Sequence, residues 1–179
     1  MAEAFSNKVA RAVGVVNTAT GGSIGITTNK ITGISTTGVS LDDLIDNGNY
    51  IAGTKVTSIG SGNVVVDRDS TNTSATTGQV VKFLQPQVLY TSPASVKTIL
   101  IGGTFANNTN GQVSLTIQVL DQSTGITVAI ASKIPVPAGS SFVISDTGKT
   151  LLEGNDALKV ACDTAGAIDA NISILTGVN

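Results

Sequence analysis

Apolar and polar residues alternate with a period of two along several stretches of the second half of this chain. In the clearest stretch Val113, Leu115, Ile117 and Val119 share one parity, and Gln, Ser and Thr residues take the other. A β-strand sends alternate side chains to opposite faces, so this pattern predicts strands with one buried face. The pattern recurs at Ile126, Val128 and Ile130, at Leu158, Val160 and Cys162, and at Ile168, Ala170, Ile172 and Ile174.

Turn-forming residues separate these stretches. They lie at Asn107 to Gly111, Asp121 to Gly125, Pro137 to Gly139, Asp146 to Gly148 and Glu153 to Asp156. Each turn supplies a residue that tolerates positive φ or a proline that fixes φ. Short strands at this spacing indicate an all-β fold, so from about Val88 onward we expect roughly seven or eight strands in an antiparallel, jelly-roll-like β-sandwich.

Residues 17–85 are rich in Thr, Ser, Gly and Asn, with short apolar stretches between them. We interpret this segment as a smaller β module with long loops, either inserted into the sandwich domain of residues 86–179 or preceding it. Its candidate strands lie near Ile24, Ile31, Val56, Val64–Val66 and Val80–Leu84. Ser40 and Asp43 have the spacing of a capping box, which predicts a helical turn there.

The N-terminal arm, residues 1–16, fits both a strand and a helical face. A strand is favoured because the edges of the sandwich must be paired or blunted. If the arm joins the C-terminal sheet, residues 17–85 are an insertion into one discontinuous domain. If it does not, Phe5, Val9 and Val13 must be buried elsewhere, and we expect a neighbouring subunit to cover them. These three residues are the predicted interaction site.

Composition excludes several classes of function. The chain has no histidine and a single cysteine, so Ser-His and Cys-His nucleophile pairs, imidazole metal ligands and internal disulfides are excluded. A net charge of −2 argues against nucleic-acid binding, which needs a basic stripe. No apolar run has the length of a membrane helix, so we expect no membrane contact.

No cluster of polar residues matches a known site. The densest acidic stretch, Asp42 to Asn49, lacks the ligand spacing of a calcium loop, and whether it binds a cation is left open. Asp67 to Asp69 is expected to anchor a loop, and Cys162 to be an inert buried thiol. Glu3 and Glu153 are the only glutamates, so any carboxylate pair would depend on aspartates. We therefore predict a non-enzymatic protein with no catalytic, metal or cofactor-binding residues and no cofactor.

Only 12% of the residues are charged, and the predicted strand faces are rich in hydroxyl and amide side chains. Such surfaces pack against identical surfaces at a modest desolvation cost. Symmetric homo-oligomers are the usual outcome, so we expect self-association, as a trimer or a larger ring.

Residues 88–178 resemble small β-sandwich virion proteins of tailed bacteriophages. The stretches that carry the resemblance are LYTSPA at 89–94, VPAGS at 136–140 and LEGNDALKV at 152–160. The opening FSNKVARAVGVV is similar to the first strand of such proteins in marine cyanobacterial phages, where it runs almost directly into the Tyr-Thr-x-Pro strand. Here residues 17–85 intervene, and they resemble small β modules of phage and bacterial surface proteins.

The resemblance implies a virion structural protein, assembled in the host cytoplasm and located in the particle. As a head decoration or cement protein, or as a neck or collar protein, it would bind copies of itself and capsid or connector proteins. The alternative is a receptor- or carbohydrate-binding module of a tail fiber or tip. That alternative predicts an exposed cluster including Tyr50 or Tyr90, or a calcium loop at Asp42 to Asn49.

Overall fold

The computed structural model describes residues 3–14, 17–145 and 149–178, and every regular element in these ranges is a β-strand. The all-β prediction is confirmed. The predicted turn at Asp146 to Gly148 and the last two residues of the predicted arm, Val15 and Val16, lie outside the described residues. No helix in the described ranges has the length and apolar character needed to cross a membrane.

Fifteen strands run through the described residues. They are β1 (Ala4–Val13), β2 (Asn17–Ile24), β3 (Lys30–Thr32), β4 (Leu44–Asp46), β5 (Val56–Gly60), β6 (Asn63–Val66), β7 (Thr76–Leu84), β8 (Gln87–Thr91), β9 (Lys97–Asn107), β10 (Val113–Asp121), β11 (Ile126–Val136), β12 (Ser141–Ile144), β13 (Thr150–Leu152), β14 (Ala157–Cys162) and β15 (Ile168–Val178).

The chain divides into two compact units. Among the described residues, unit 1 takes in those of Met1–Gly14, Pro86–Cys162 and Gly166–Asn179, and unit 2 takes in those of Val15–Gln85 and Asp163–Ala165. Unit 1 combines the arm with the predicted segment 86–179, except for Asp163–Ala165, which belong to unit 2. The arm forms a strand paired with β15, the first of the two alternatives stated for it.

Unit 1 is a sandwich of two antiparallel sheets. One has the order β1-β15-β9-β12, with β13 also paired to β9, and the other has the order β11-β10-β14-β8. The pairing of unit 1 is that of one long hairpin, in which β12 and β13 act as two parts of one strand. From its ends to its tip, β1 pairs with β15, β8 with β14, β9 with β12 and β13, and β10 with β11. This long hairpin is rolled so that β9 also pairs with β15 and β10 with β14, which is a jelly-roll arrangement.

The alternating residues of β10, β14 and β15 form the core of unit 1, as predicted. Leu115, Ile117, Leu158 and Ile172 are fully buried there, and Phe105 of β9 lies among them. Side chains from the inner faces of two packed sheets fill the space between the sheets, so the pattern of the strands determines which residues meet.

Strand β11 departs from the prediction. Ile126, Val128 and Ile130 were expected to face the core, but they are 60%, 57% and 41% exposed. The reason is that β11 is the outermost strand of its sheet and its register against β10 shifts between the pairs Ile117↔Ala131 and Gln118↔Ala129. The apolar side of this strand therefore extends beyond the core.

Unit 2 is a six-stranded sheet with the order β4-β7-β2-β3-β6-β5. Its two end strands also meet, because Leu44 forms a bridge with Lys55 and the N–H of Ile45 donates to the carbonyl of Thr54 at 2.8 Å. The sheet is therefore closed into a ring of strands around its own core, which includes Phe83 and Ile31.

The helical turn predicted at Ser40 is wrong. The N–H of Ser40 does donate to the Asp43 carboxylate, at 2.7 Å, as in a capping box. However, Asp42 between them has a φ of 66°, which lies outside the helical region, and a turn leads directly into β4.

Candidate interaction surface

Strand β1 places two of the three predicted interaction residues on the outer face of unit 1. Phe5 pairs with Leu175 of β15 and Val9 with Asn171, and the two side chains are 74% and 78% exposed. Ala10, of the opposite parity, packs against the core. Phe5 and Val9 therefore project from the sandwich, away from its interior.

Val13 is separated from that surface by an irregularity in β1. The register against β15 shifts between Ala10 and Val13, and Ala12 within the shift has a φ of 55°. The N–H of Ala12 donates to the Asp169 carboxylate at 3.0 Å. An extra residue in one strand moves the following side chains to the other face, so Val13 is fully buried in the core of unit 1. The prediction that Val13 lies on the interaction surface is therefore corrected.

Phe5 continues an apolar row that crosses the outer face of the sheet. The strand registers align Phe5 with Leu175, Leu175 with Ile99, and Ile99 with Leu151. The next residues along the inner strands, Ile174, Leu100 and Leu152, are buried, so the row faces outward. We call Phe5, Leu175, Ile99 and Leu151 the outer apolar row. Adjacent strands lie about 4.8 Å apart, so the row spans roughly 14 Å.

The sequence contains a signal for this row that the alternation argument missed. Leu175, Ile99 and Leu151 each stand beside a buried apolar residue, in Ile174-Leu175, Ile99-Leu100 and Leu151-Leu152. Two adjacent apolar residues break the period of two and are typical of strands with two apolar faces. On a sheet whose inner face fills the core, the second apolar face is available for another contact.

The acidic stretch Asp42 to Asn49 holds its own loop together. Asp43 is 3% exposed, and its Oδ2 accepts hydrogen bonds from the N–H of Ser40 and, at 2.8 Å, from the side chain of Gln85. Burial raises the pKa of the Asp43 carboxyl, and the bonds from Ser40 and Gln85 partly oppose this. Asn47 accepts from the N–H of Asn49 at 2.9 Å. Among the described residues, no group of three or more acidic, Cys or His side chains is placed to hold a metal ion.

The two tyrosines do not form an exposed platform. Tyr50 is 7% exposed and its hydroxyl donates to the carbonyl of Thr28 at 3.2 Å. Burial, with a smaller contribution from the charge of Asp69, raises the pKa of Tyr50 to about 12. The hydroxyl of Tyr90 is hydrogen bonded to Thr98 at 3.1 Å. Both rings serve packing within their own units.

The other polar residues considered in the sequence have structural roles. Cys162 is buried in the core of unit 1, as its phase in the strand predicts. Asp67 accepts from the N–H of Lys55 at 2.8 Å and lies 4.0 Å from Arg68, so it anchors a loop. Glu153 is exposed, whereas Asp156 in the same turn is buried and accepts from the N–H of Glu153 at 2.9 Å.

No sequence model of a protein family matches the chain, and no curated protein matches it significantly. Solved structures of infectious bursal disease virus are similar over nearly the whole chain, at low levels of identity. A chain of the Gt strain structure is 9% identical with a TM-score of 0.31, over 98% of this chain and 72% of that one. A chain of the VP2 subviral particle is 10% identical with a TM-score of 0.33, over 98% of this chain and 71% of that one. These values are too low to support any inference, so the fold assignment depends on the strand pairing alone.

Proposed function

We propose that the chain is a non-enzymatic structural component of a bacteriophage virion that stabilises or decorates the particle. It would act as a head decoration or cement protein, or as a neck or collar protein, through contacts with its own copies and with capsid or connector proteins. The observation that carries this proposal is the outer apolar row, which ends at the projecting side chain of Phe5, with Val9 also exposed four residues further along β1.

Phe5 and Leu151 at the ends of the row are exposed, and Leu175 and Ile99 between them are half-buried. A continuous apolar row on an outer face is typical of a surface that another protein covers. Removing a Phe or Val side chain from water contributes about 1.5–3 kcal/mol, before the entropy of association is subtracted. A sheet face presents these side chains on a backbone that is already ordered, so binding costs less entropy than it would for a flexible segment, which suits a protein that is assembled in many copies.

The jelly-roll fold is compatible with this role, but it is equally compatible with other functions. Jelly rolls form viral capsid domains, lectins and cupins alike, so function has to be argued from surfaces and sites. The resemblance of residues 88–178 to phage virion proteins supports the phage class. The alternative, a carbohydrate- or receptor-binding module, is less well supported, because Tyr50 is buried and Tyr90 is partly buried, each in the core of its own unit.

The experiment is quantitative mass spectrometry of purified particles of the virus that encodes this chain, with electron microscopy to locate the chain. We expect many copies per particle at regularly repeated positions on the head or neck. A chain found in infected cells and missing from particles would overturn the proposal. So would a calcium-dependent sugar complex in titrations of the purified chain with calcium and glycans.

A further inference from the structure

Strand β1 forms an edge of its sheet. Among the described strands it pairs only with β15, and Ala4 to Ala10 do so in one unbroken register. One side of an edge strand carries unpaired N–H and C=O groups, which are a template for another strand.

The other edges of unit 1 are shorter or interrupted. In β11 the register shifts twice, Lys133 has a φ of 51°, and Pro135 cannot donate a hydrogen bond. Strand β12 has 4 residues and β8 has 5, with Pro86 just before β8. Irregularities, prolines, short length and charged side chains are the usual protections of sheet edges, and Lys8 is the only one of them in the Ala4–Ala10 stretch of β1.

The sequence from Glu3, just before β1, to Arg11 is complementary to itself when read in the opposite direction about Asn7. An antiparallel pair centred on Asn7 places Glu3, Ala4, Phe5 and Ser6 opposite the partner's Arg11, Ala10, Val9 and Lys8, in that order. Both exposed apolar side chains then meet an apolar side chain, Glu3 meets the partner's Arg11, and the exposed charge of Lys8 meets the partner's Ser6.

We propose that two copies of the chain associate through their β1 strands, antiparallel and centred on Asn7, so that their sheets become continuous. This inference rests on the proposed function, because the second copy would be the partner that covers Phe5 and Val9. Phe5 would lie beside the partner's Val9, which extends the outer apolar row across the two-fold axis. A trimer or a larger ring would then need a second contact surface.

Neighbouring registers are disfavoured by charge and polarity. Centring the pair on Lys8 would set two lysines directly opposite each other, and centring it on Ser6 would set Phe5 opposite an asparagine. Like charges directly opposite destabilise a strand pair, and opposite charges or apolar pairs stabilise it.

The charged residues are exposed and can make the new contacts. The Arg11 side chain is 91% exposed, and its ion pair with Asp169, at 4.0 Å, is a weak surface pair that Arg11 can exchange for the partner's Glu3. Glu3 is also exposed. Ion pairs between exposed groups add little affinity, so their role here would be to select the register.

The first test is Asn7→Cys in the full chain under mild oxidation, analysed on non-reducing gels with the mass in solution. Directly opposed residues of antiparallel strands have Cα atoms about 4.5 or 5.5 Å apart, and a disulfide spans both distances. We expect a covalent dimer from Asn7→Cys and little from the control Lys8→Cys, which would be diagonal to its equivalent. Cys162 is buried and does not interfere.

The second test is charge reversal. Glu3→Arg or Arg11→Glu alone turns two attractive pairs per dimer into repulsive ones and should weaken dimerisation about tenfold. The double variant should restore the dimer to within about threefold of the original affinity. Circular dichroism of each variant verifies that the strands are intact.

The outcomes separate this proposal from the proposed function. A monomeric chain, or cross-linking that is equal for Asn7→Cys and Lys8→Cys, overturns the β1 pairing even if the chain is abundant in virions. Specific cross-linking of a chain that is missing from virions supports the β1 pairing and overturns the structural role in the particle.

Discussion

Single side chains fix the turns of unit 1, and Asn107 at the end of β9 is the clearest case. Its Nδ2 lies 2.7 Å from the carbonyl of Gly111, 2.9 Å from that of Val136 and 3.1 Å from that of Pro137. Its Oδ1 accepts from the N–H of Thr109 at 2.9 Å. One buried amide therefore joins two separate turns.

We expect Asn107→Ala to lower the free energy of unfolding by about 2–3 kcal/mol, because it removes the amide that donates to the buried carbonyl of Val136 and to two part-buried carbonyls. Asn107→Asp should cost more, since a carboxylate would face three carbonyl oxygens. Urea denaturation measures both, with the exposed Asn110→Ala as the control, for which we expect a change within about 0.5 kcal/mol. Equal stability of the Asn107 and Asn110 variants would contradict this role.

Gly154 gives a second prediction for a single residue. A Cβ at this position would lie 2.6 Å from the backbone nitrogen of Ser95, so the backbone would have to move. We expect Gly154→Ala to destabilise the protein by about 1–3 kcal/mol. At Gly111 nothing lies within 4 Å of an added Cβ, so Gly111→Ala is the matched control. A thermal midpoint that falls equally in both variants would show that the contact with Ser95 is unimportant.

The residue that most changed the predicted site, Ala12, carries no signal in the sequence. Its positive φ creates the irregularity that turns Val13 inward. Positive φ is expected at Gly, Asn or Asp, and alanine gives no reason to expect it. Strand parity alone therefore groups Val13 with Phe5 and Val9. The hydrogen bond from the N–H of Ala12 to Asp169 accompanies the shift, and these two residues are too far apart in sequence for their contact to be predicted.

The turn before β4 is the element that we expect to make the free energy of unfolding depend on pH. Burial raises the pKa of Asp43 above its ordinary value of 3.8, so the folded protein binds a proton there more readily than the unfolded chain does. The free energy of unfolding should therefore decrease as the pH rises from about 3.8 through the raised pKa, and stay lower above it.

Asp43→Asn should remove this dependence. The asparagine can keep both hydrogen bonds, because Ser40 and Gln85 donate to the same oxygen of Asp43. Urea unfolding at a series of pH values should show a flatter profile and no loss of stability at pH 7. Asp42→Asn keeps the buried carboxyl of Asp43 and removes a charge that raises the pKa of Asp43. In this variant stability should still decrease as the pH rises, but over a narrower range of pH. A marked loss of stability in Asp43→Asn at pH 7 would show that the fold needs the charge.

Alternation predicted burial correctly for strands that cross the core of unit 1 and incorrectly for β11 at its margin. In β10 and β15 alternation and burial agree because each strand has a neighbour on both sides and a sheet facing it. In β11 the same pattern led to a wrong prediction, since an edge strand can keep an apolar side that nothing in its own unit covers. Strand β4 has three residues, too few to show a period, and it was not predicted, whereas β3, which is equally short, was located only by the apolar Ile31. The closure of unit 2 depends on Leu44 and Lys55, whose pairing no local pattern indicates.

For the whole molecule, the two separate cores predict two separable stabilities. Phe83 in unit 2 and Phe105 in unit 1 are both fully buried, and the two core clusters share no residue. Each change to alanine should lower the stability of its own unit by about 3–5 kcal/mol.

Hydrogen exchange measured by peptide can distinguish the units. Phe83→Ala should raise exchange in peptides from residues 17–85 and leave β9, β10 and β15 protected, and Phe105→Ala should do the reverse. The two variants are matched controls for each other. Uniform loss of protection along the whole chain in either variant would show that the units unfold as one.

The closed sheet of unit 2 also bears on how such chains evolve. A ring of strands satisfies its backbone hydrogen bonds internally, and it occupies the stretch of chain between β1 and β8, the first two strands of the jelly roll. Recombination at those two junctions can exchange the ring for another self-contained module without the host sandwich having to supply a strand. We therefore expect residues 17–85 to diverge as a block among relatives of this chain, while the strand pattern of unit 1 is kept.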